Sequence, residues 1–268
     1  MLNYYMQNLL EITQFACLKA GSEIMKFYKS QYNIKEKGYH NPVTDADFAA
    51  NTAIHNILRN EYPGYGWLSE ETVDSRDRLS KTRVWIVDPL DGTKEFIEGV
   101  PNFVVSIGLV ENGIPILGVL YNPVSQEMMD AARGMGARYN GSPVKCSKKT
   151  ELKDSTVVIS RSETKKGLWK GTESWFSEQA HIGSVAYKLG LTASGKYDSF
   201  ATLRPKNEWD VCAGHTILKE AGGLLLNLAD NSERMYNQAS PLITPGLVGG
   251  NAELIHEFSN LWKNKSVD

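Results

Sequence analysis

The chain has 268 residues, 41% of them hydrophobic and 22% charged, and its formal net charge is −2. That length holds one large domain or two packed subdomains. The near-neutral balance gives no basic surface for a nucleic-acid polymer, and no apolar run is long enough to span a bilayer.

Residues 1–15 lack a basic start, a continuous apolar core and a small-residue cleavage site, so no secretory leader is expected. Apolar residues then recur at helical spacing near 4–29 (Leu9, Ile12, Phe15, Ala16, Ile24, Phe27), which predicts a long amphipathic helix. After the break at Pro42, a second helix is expected from Asp45 to Glu61, ended by Pro63-Gly64. Val84 to Val87 reads as a strand that stops at Asp88. Phe103–Val110 and Ile114–Tyr121 read as a hairpin around Glu111-Asn112-Gly113, because Asn-Gly tolerates positive φ. Met128–Ala132 reads as a further strand and Asn140-Gly141 as a turn. Beyond residue 150 strand and helix alternate: strand 156–159, helix 185–194, helix 209–221 closed by Gly222-Gly223, strand 224–226 and helix 252–262. The expected fold class is therefore α/β (α+β) in layers. The chain reads as one catalytic unit over residues 1–268, with a subdomain seam near 145–155. The first part would bind metal and phosphate, and the second would complete the substrate pocket. The three cysteines (Cys17, Cys146, Cys212) are widely spaced without a CxxC, which predicts reduced thiols in a cytoplasmic protein.

The sharpest local feature is Asp88-Pro89-Leu90-Asp91-Gly92-Thr93. Pro89 stiffens the segment, Gly92 allows close backbone approach, and Thr93 opens a short helical stretch whose free N–H groups suit an anion. One short run thus offers two hard oxygen ligands and a phosphate cradle. By itself the run is also readable as a plain turn in which both aspartates cap backbone groups. Glu70-Glu71 alone reads as a solvated loop, and Asp210, like Asp45 and Asp47, as a helix cap. If Glu70, Asp88, Asp91 and Asp210 converge, each like-charged pair at ~4 Å costs roughly 4 kcal/mol at an effective dielectric of about 20. Divalent cations relieve that repulsion, and carboxylates with a backbone carbonyl suit Mg²⁺, Mn²⁺ or Ca²⁺ rather than zinc.

Four stretches in order resemble the inositol monophosphatase superfamily: VTDAD (43–47), SEE (69–71), DPLDGTKEF (88–96) and WDVCAGHTILKEAGG (209–223). The resemblance implies an α-β-α-β-α sandwich and a Mg²⁺-dependent phosphomonoesterase with two or three Mg²⁺ ions, for which Mn²⁺ can substitute. It implies metal ligation by Glu70, Asp88, Asp91, Asp210 and the Leu90 carbonyl, and phosphate contacts from Gly92 and Thr93. It also implies that Thr93 and Asp47, with Glu70, act on the attacking water. Such sites work by positioning and charge stabilisation. Lithium sensitivity is a habit of the family, and its members occur as monomers and homodimers.

The substrate is expected to be a small phosphate ester. Lys94-Glu95-Phe96, Ser160-Arg161-Ser162, and Gly183-Ser184 with Lys188 resemble 3′(2′),5′-bisphosphate nucleotidases, which cleave 3′-phosphoadenosine 5′-phosphate to AMP. Ser184, Lys188 and Arg204 are then the expected substrate contacts, Arg204 meeting a second phosphate. Leu203 stands where inositol monophosphatases carry a glutamate that contacts inositol hydroxyls. Two departures point away from a nucleotidase: Glu163 follows Ser162 where histidine is usual, placing a negative charge beside a nucleotide phosphate, and Arg204 falls at a different spacing from the nucleotidase arginine. Inositol monophosphatase, sugar-bisphosphate phosphatase and histidinol-phosphate phosphatase are the alternatives. A catalytically silent phosphate binder would have lost a ligand, and all are present. His181 and His215 read as structural.

Overall fold

The computed structural model describes residues 2–38, 41–244 and 246–265. Helix α1 (Leu2–Met25) is followed by a hairpin of β1 (Ile34–Gly38) and β2 (Asn41–Thr44), then by α2 (Asp45–Glu61). The buried face of α1 carries Met6, Leu9, Leu10, Thr13, Ala16, Cys17, Ala20 and Ile24 at helical spacing. Phe15, expected on that face, is instead 46% exposed. The helix also ends four residues early, in a turn where Lys29 takes φ 57°. Thr44 opens α2 through a capping box with Asp47.

A seven-stranded sheet follows: β3 (Gly66–Ser69), β4 (Arg83–Asp91), β5 (Val104–Glu111), β6 (Ile114–Asn122), β7 (Glu127–Ala132), β8 (Ala137–Tyr139) and β9 (Ser142–Val144), ordered as numbered. Only β3 and β4 run parallel. Asn112-Gly113 makes the expected β5–β6 turn, with φ of 52° and 78°. The strand expected to stop at Asp88 instead continues to Asp91. Against β5, Asp88 pairs with Ser106 and Asp91 with Val104, so β4 holds one extra residue there. That is a bulge, and Pro89, which has no N–H to give a ladder, sits inside it. The bulge re-aims two acidic side chains at the end of a buried strand. Helix α3 (Thr93–Ile97) follows directly.

The second sheet is β11-β10-β12-β16-β14, built from β10 (Thr156–Ser160), β11 (Glu178–Ile182), β12 (Ser199–Thr202), β14 (Leu224–Asn227) and β16 (Leu247–Gly250). A small pair, β13 (Lys206–Asn207) with β15 (Leu242–Ile243), lies beside it. The helices of this half are α4 (Arg161–Lys165), α5 (Val185–Ala193), α6 (Glu208–Glu220) and α7 (Ala252–Lys265).

Alternation along the strands sets the layers. Trp85 and Val87 of β4 pack with α1 and α2, while Val84 and Ile86 point to the opposite core with α5 and α6. In β10, Val158 joins that same central core, and Val157 and Ile159 pack towards α7. The order is thus α1/α2, first sheet, α5/α6, second sheet, α7, which is the α-β-α-β-α sandwich. Two paired glycines bring the middle layer in close. A Cβ on Gly118 would lie 2.3 Å from the Ala213 oxygen, and one on Gly108 would lie 2.6 Å from Cys212 Sγ. Only bare backbone at that pair lets α6 lie against β5 and β6, which carries Asp210 to the end of β4. Among the described residues no helix is long and apolar enough to cross a membrane.

Candidate active site

The site forms where four elements end together: the end of β3, the bulge of β4, and the first turns of α5 and α6. They form a cavity of about 400 Å³ lined in part by Glu70, Asp88, Asp91 and Asp210. One carboxylate oxygen from each of Glu70, Asp88 and Asp210 lies within 4.8 Å of the other two. Asp88 is 2% exposed, and its Oδ1 accepts from the Leu90 N–H at 3.0 Å. Asp210 accepts from the Asn207 N–H at 2.8 Å as part of the α6 cap. Asp91 stands slightly apart from that trio. Its Oδ2 is held by the Ser184 hydroxyl at 2.5 Å and the Ala186 N–H at 2.6 Å, at the start of α5.

The electrostatics of this group call for a cation. Burial pushes the Asp88 carboxyl well above the ordinary carboxylate range, and the charges of Glu70, Asp91 and Asp210 push it further. Burial, with Asp91 and Glu70, raises Asp210 to about 8. Burial also raises Asp91 to about 6, against the Ser184 and Ala186 hydrogen bonds. The donors are all hard oxygens, and the described cluster contains neither histidine nor cysteine. A set of this kind fits Mg²⁺, Mn²⁺ or Ca²⁺. Lys37, on the exposed strand β1, reaches Glu70 Oε1 at 2.7 Å and Glu71 Oε1 at 2.5 Å, so its ammonium group leans on the acidic cluster.

This arrangement predicts a pH-dependent response to metal. Without a cation, a carboxyl whose folded-state pKa is raised stabilises the fold only while protonated. That contribution is complete below about pH 4 and is lost as the pH passes through about 6 for Asp91 and about 8 for Asp210. Saturating Mg²⁺ is therefore expected to raise the melting temperature more at pH 8 than at pH 5.5, by ~5 °C or more. Thermal melts with and without chelator at the two pH values check this, and equal gains at both would contradict it.

Asp47 shows how a helix cap can also hold a second side chain. Its Oδ2 accepts from the Thr44 N–H at 2.8 Å and the Thr44 hydroxyl at 2.6 Å, closing the cap of α2. Its Oδ1 is left to accept from Thr93 Oγ1 at 3.0 Å. Thr93 Oγ1 also lies 3.2 Å from the Leu90 carbonyl. Asp45, two residues earlier, faces away and accepts from Asn33. Burial raises the Asp47 carboxyl, against the hydrogen bonds from Thr44 and Thr93. Gly92, which precedes Thr93, has φ 107° and lies so close to Asn102 and Phe103 that a Cβ would collide.

The cavity also carries cations: Lys94, Lys188, Arg204 and Lys206 line it. Lys188 is fully buried, its Nζ donates to the Ile182 carbonyl at 3.2 Å, and burial lowers it to about 8 although Asp91 opposes the shift. Ser184, expected to touch substrate, lines the cavity but uses its hydroxyl to hold Asp91 and to cap the Tyr187 N–H. Glu163, expected beside the phosphate, is buried and turned away from the cavity towards the segment after β12. His215, read as structural, is buried against the Tyr236 hydroxyl.

Several residues escaped sequence reasoning. Lys37 carries no local signal, because the fold of the β1–β2 hairpin brings it to Glu70. Lys206 and Asn207 lie just before the Trp209-Asp210 motif, so proximity to that motif was the available clue. Glu95 lines the cavity beside Gly183, where a Cβ would lie only 2.0 Å from its carboxyl carbon. Arg161 pairs with Glu98 at 2.6 Å and approaches Glu95 at 3.5 Å.

Known proteins resemble this chain over most of its length. The model of the inositol monophosphatase family matches residues 6–262. Inositol monophosphatase 1 of Solanum lycopersicum is 31% identical over 255 residues, covering 91% of this chain and 93% of the relative. The 3′(2′),5′-bisphosphate nucleotidase CysQ of Escherichia coli K12 is 36% identical over 206 residues, covering 76% and 84%. Among solved structures, a Thermotoga maritima IMPase superposes with a TM-score of 0.84 at 29% identity, covering 97% of this chain and 98% of its own. Fold, ordered motifs and converging carboxylates lead to one conclusion: the chain belongs to the inositol monophosphatase family and is a phosphoric monoester hydrolase.

Proposed function

We propose that the chain is a Mg²⁺-dependent phosphomonoesterase whose preferred substrate carries a second anionic group, as in 3′-phosphoadenosine 5′-phosphate, cleaved to AMP and phosphate. The observation that carries this reading is the cavity's mixed charge. Glu70, Asp88, Asp91, Glu95 and Asp210 line it together with Lys94, Lys188, Arg204 and Lys206. The acids suit cations over the reacting phosphate. The basic residues suit an anion on the part of the substrate that does not react, with Arg204 able to meet it bidentately. Leu203 is partly buried and packs on a hydrophobic cluster, so its side chain offers no acceptor to an inositol hydroxyl.

Glu70, Asp88, Asp91, Asp210 and the Leu90 carbonyl would hold the cations. Bound Mg²⁺ supplies Lewis-acid polarisation of the phosphate and charge neutralisation at the attacking and leaving oxygens. The chain's own part is to position and to move protons. The backbone at Gly92 and Thr93 receives the phosphate at the first turn of α3. Thr93 Oγ1 donates to Asp47, which leaves its lone pairs to accept a hydrogen bond from a water. As that water's oxygen bonds to phosphorus and the ester P–O bond breaks, its proton passes to Thr93 Oγ1 and the Thr93 proton to Asp47. Burial makes Asp47 a better proton acceptor than an exposed aspartate. Solvent reprotonates the leaving oxygen.

An inositol monophosphatase reading has support of its own, since the Solanum lycopersicum relative named for that activity spans 91% of the chain. Comparing kcat/KM for 3′-phosphoadenosine 5′-phosphate, inositol 1-phosphate, fructose 1,6-bisphosphate and histidinol phosphate in Mg²⁺ separates the readings. The nucleotide is expected to lead inositol 1-phosphate by ~10-fold or more, the discrimination a site gains from one added charged contact. A tenfold lead for any other substrate would overturn the preference.

A further inference from the structure

Glu163 follows Ser160-Arg161-Ser162 at the opening of α4 and is fully buried. Its carboxylate gathers donors on both oxygens. Oε1 accepts from Thr202 Oγ1 at 2.6 Å and the Arg204 N–H at 3.1 Å, with Lys206 Nζ 3.6 Å away. Oε2 accepts from the Leu203 N–H at 3.1 Å and from Trp169 Nε1 at 3.2 Å. The donors from 202, 203, 204 and 206 belong to one stretch of chain. It begins where the β12–β16 ladder ends, at the Thr202–Leu247 pair, so the next N–H groups have no strand to bond to. Glu163 takes the place of that missing strand. Downstream, Arg204, Lys206 and Asn207 line the cavity, and the Asn207 N–H donates to Asp210.

We propose that Glu163 is the positioning residue of the substrate wall. It anchors residues 202–206 from behind so that Arg204 and Lys206 present their charges to the cavity, and it does not touch substrate itself. This rests on the reading of those two cations as substrate contacts. The Arg204 side chain has no hydrogen bond or ion pair among the described residues, so its direction depends on where its backbone is held. A carboxylate suits the task because both oxygens must accept. A carboxamide would turn an NH₂ towards either the Thr202–Arg204 donors or the Leu203–Trp169 donors, and buried donors facing a donor are displaced. Lys206 would also lose the buried charge it lies against.

The test uses the full chain with Glu163→Gln and Glu163→Asp. Steady-state kinetics are measured in saturating Mg²⁺ on the best substrate of the panel above and on p-nitrophenyl phosphate, which has no second anionic group. Melting temperature and the Mg²⁺ activation midpoint are recorded alongside. Glu163→Gln is expected to raise KM for the panel substrate ~10-fold, with kcat and the Mg²⁺ midpoint within about threefold and KM for p-nitrophenyl phosphate little changed. Glu163→Asp keeps both acceptors on a shorter stem and is expected to fall between wild type and Glu163→Gln. If Glu163→Gln does not fold, Glu163→Asp carries the test by itself. A ratio of the two KM values that stays at the wild-type figure in the variant that folds would overturn the proposal. So would an equal loss of kcat on both substrates, which is what a merely structural role produces. Failure of the substrate reading shows separately, in the wild-type panel.

Discussion

Asp88→Asn is expected to lower Mg²⁺-dependent turnover by ~10³-fold while the protein stays folded. The amide oxygen can keep the hydrogen bond from the Leu90 N–H, so the bulge of β4 retains its internal contact. What is lost is one negative charge from a group of four, of which Asp88 and Asp91 are buried and Glu70 and Asp210 partly so. Burial and the neighbouring acids already raise Asp88, so neutralising it relieves repulsion in the metal-free protein. The metal-free variant is therefore expected to melt at or above the wild-type temperature, and to gain less from Mg²⁺. Phosphate release at saturating substrate, measured beside thermal melts, checks both parts. Near-normal turnover in saturating Mg²⁺ would remove Asp88 from the site.

Asp47→Asn is expected to lower kcat by ~10²–10³-fold with KM and the Mg²⁺ midpoint little changed, in the range that a lost general base produces. Asparagine can face only one of Asp47's two tasks with an oxygen. If the oxygen keeps the Thr44 cap, the NH₂ meets Thr93 and the Thr93 proton has nowhere to go. If the amide flips, Thr93 keeps an acceptor of much lower basicity and the α2 cap is weakened by ~1 kcal/mol. Either way the proton path ends at an amide. Kinetics at saturating substrate decide the matter, and a kcat within threefold of wild type would exclude the Thr93–Asp47 pair from proton transfer.

Much of this was legible in the sequence because local rules and tertiary structure agree. The α2 boundaries follow from Thr44, Asp47 and Pro63, and the β5–β6 hairpin from Asn112-Gly113. The converging carboxylates come from three separate stretches, at Glu70, Asp88–Asp91 and Asp210, each of which looks like a loop, turn or cap by itself and like a ligand set only together. Other features depend on partners far along the chain. The run Asp88–Asp91 looks like a turn after a strand, and it becomes a bulge only because β5 supplies Ser106 and Val104 as its partners. Ser184, read as a substrate contact, lines the cavity, and only the tertiary structure shows that its hydroxyl also holds the Asp91 carboxylate. Glu163 reads as a charge opposing the substrate, since nothing near it in sequence announces that the end of β12 needs an acceptor. Phe15 fits the α1 stripe by spacing, but the neighbouring layer covers Ala16 and Cys17 instead. In each case the local pattern was real, and a contact between distant segments decided what the side chain does.

The most direct test of the metal-centred site is phosphate release from 3′-phosphoadenosine 5′-phosphate and inositol 1-phosphate by the wild-type chain, titrated with Mg²⁺ after complete chelation. The expected result is no release without the cation, saturable activation as Mg²⁺ is added, and a flat response from Asp88→Asn over the same range. Wild-type turnover that persists in chelator, or an Asp88→Asn titration that overlays the wild type, would contradict it.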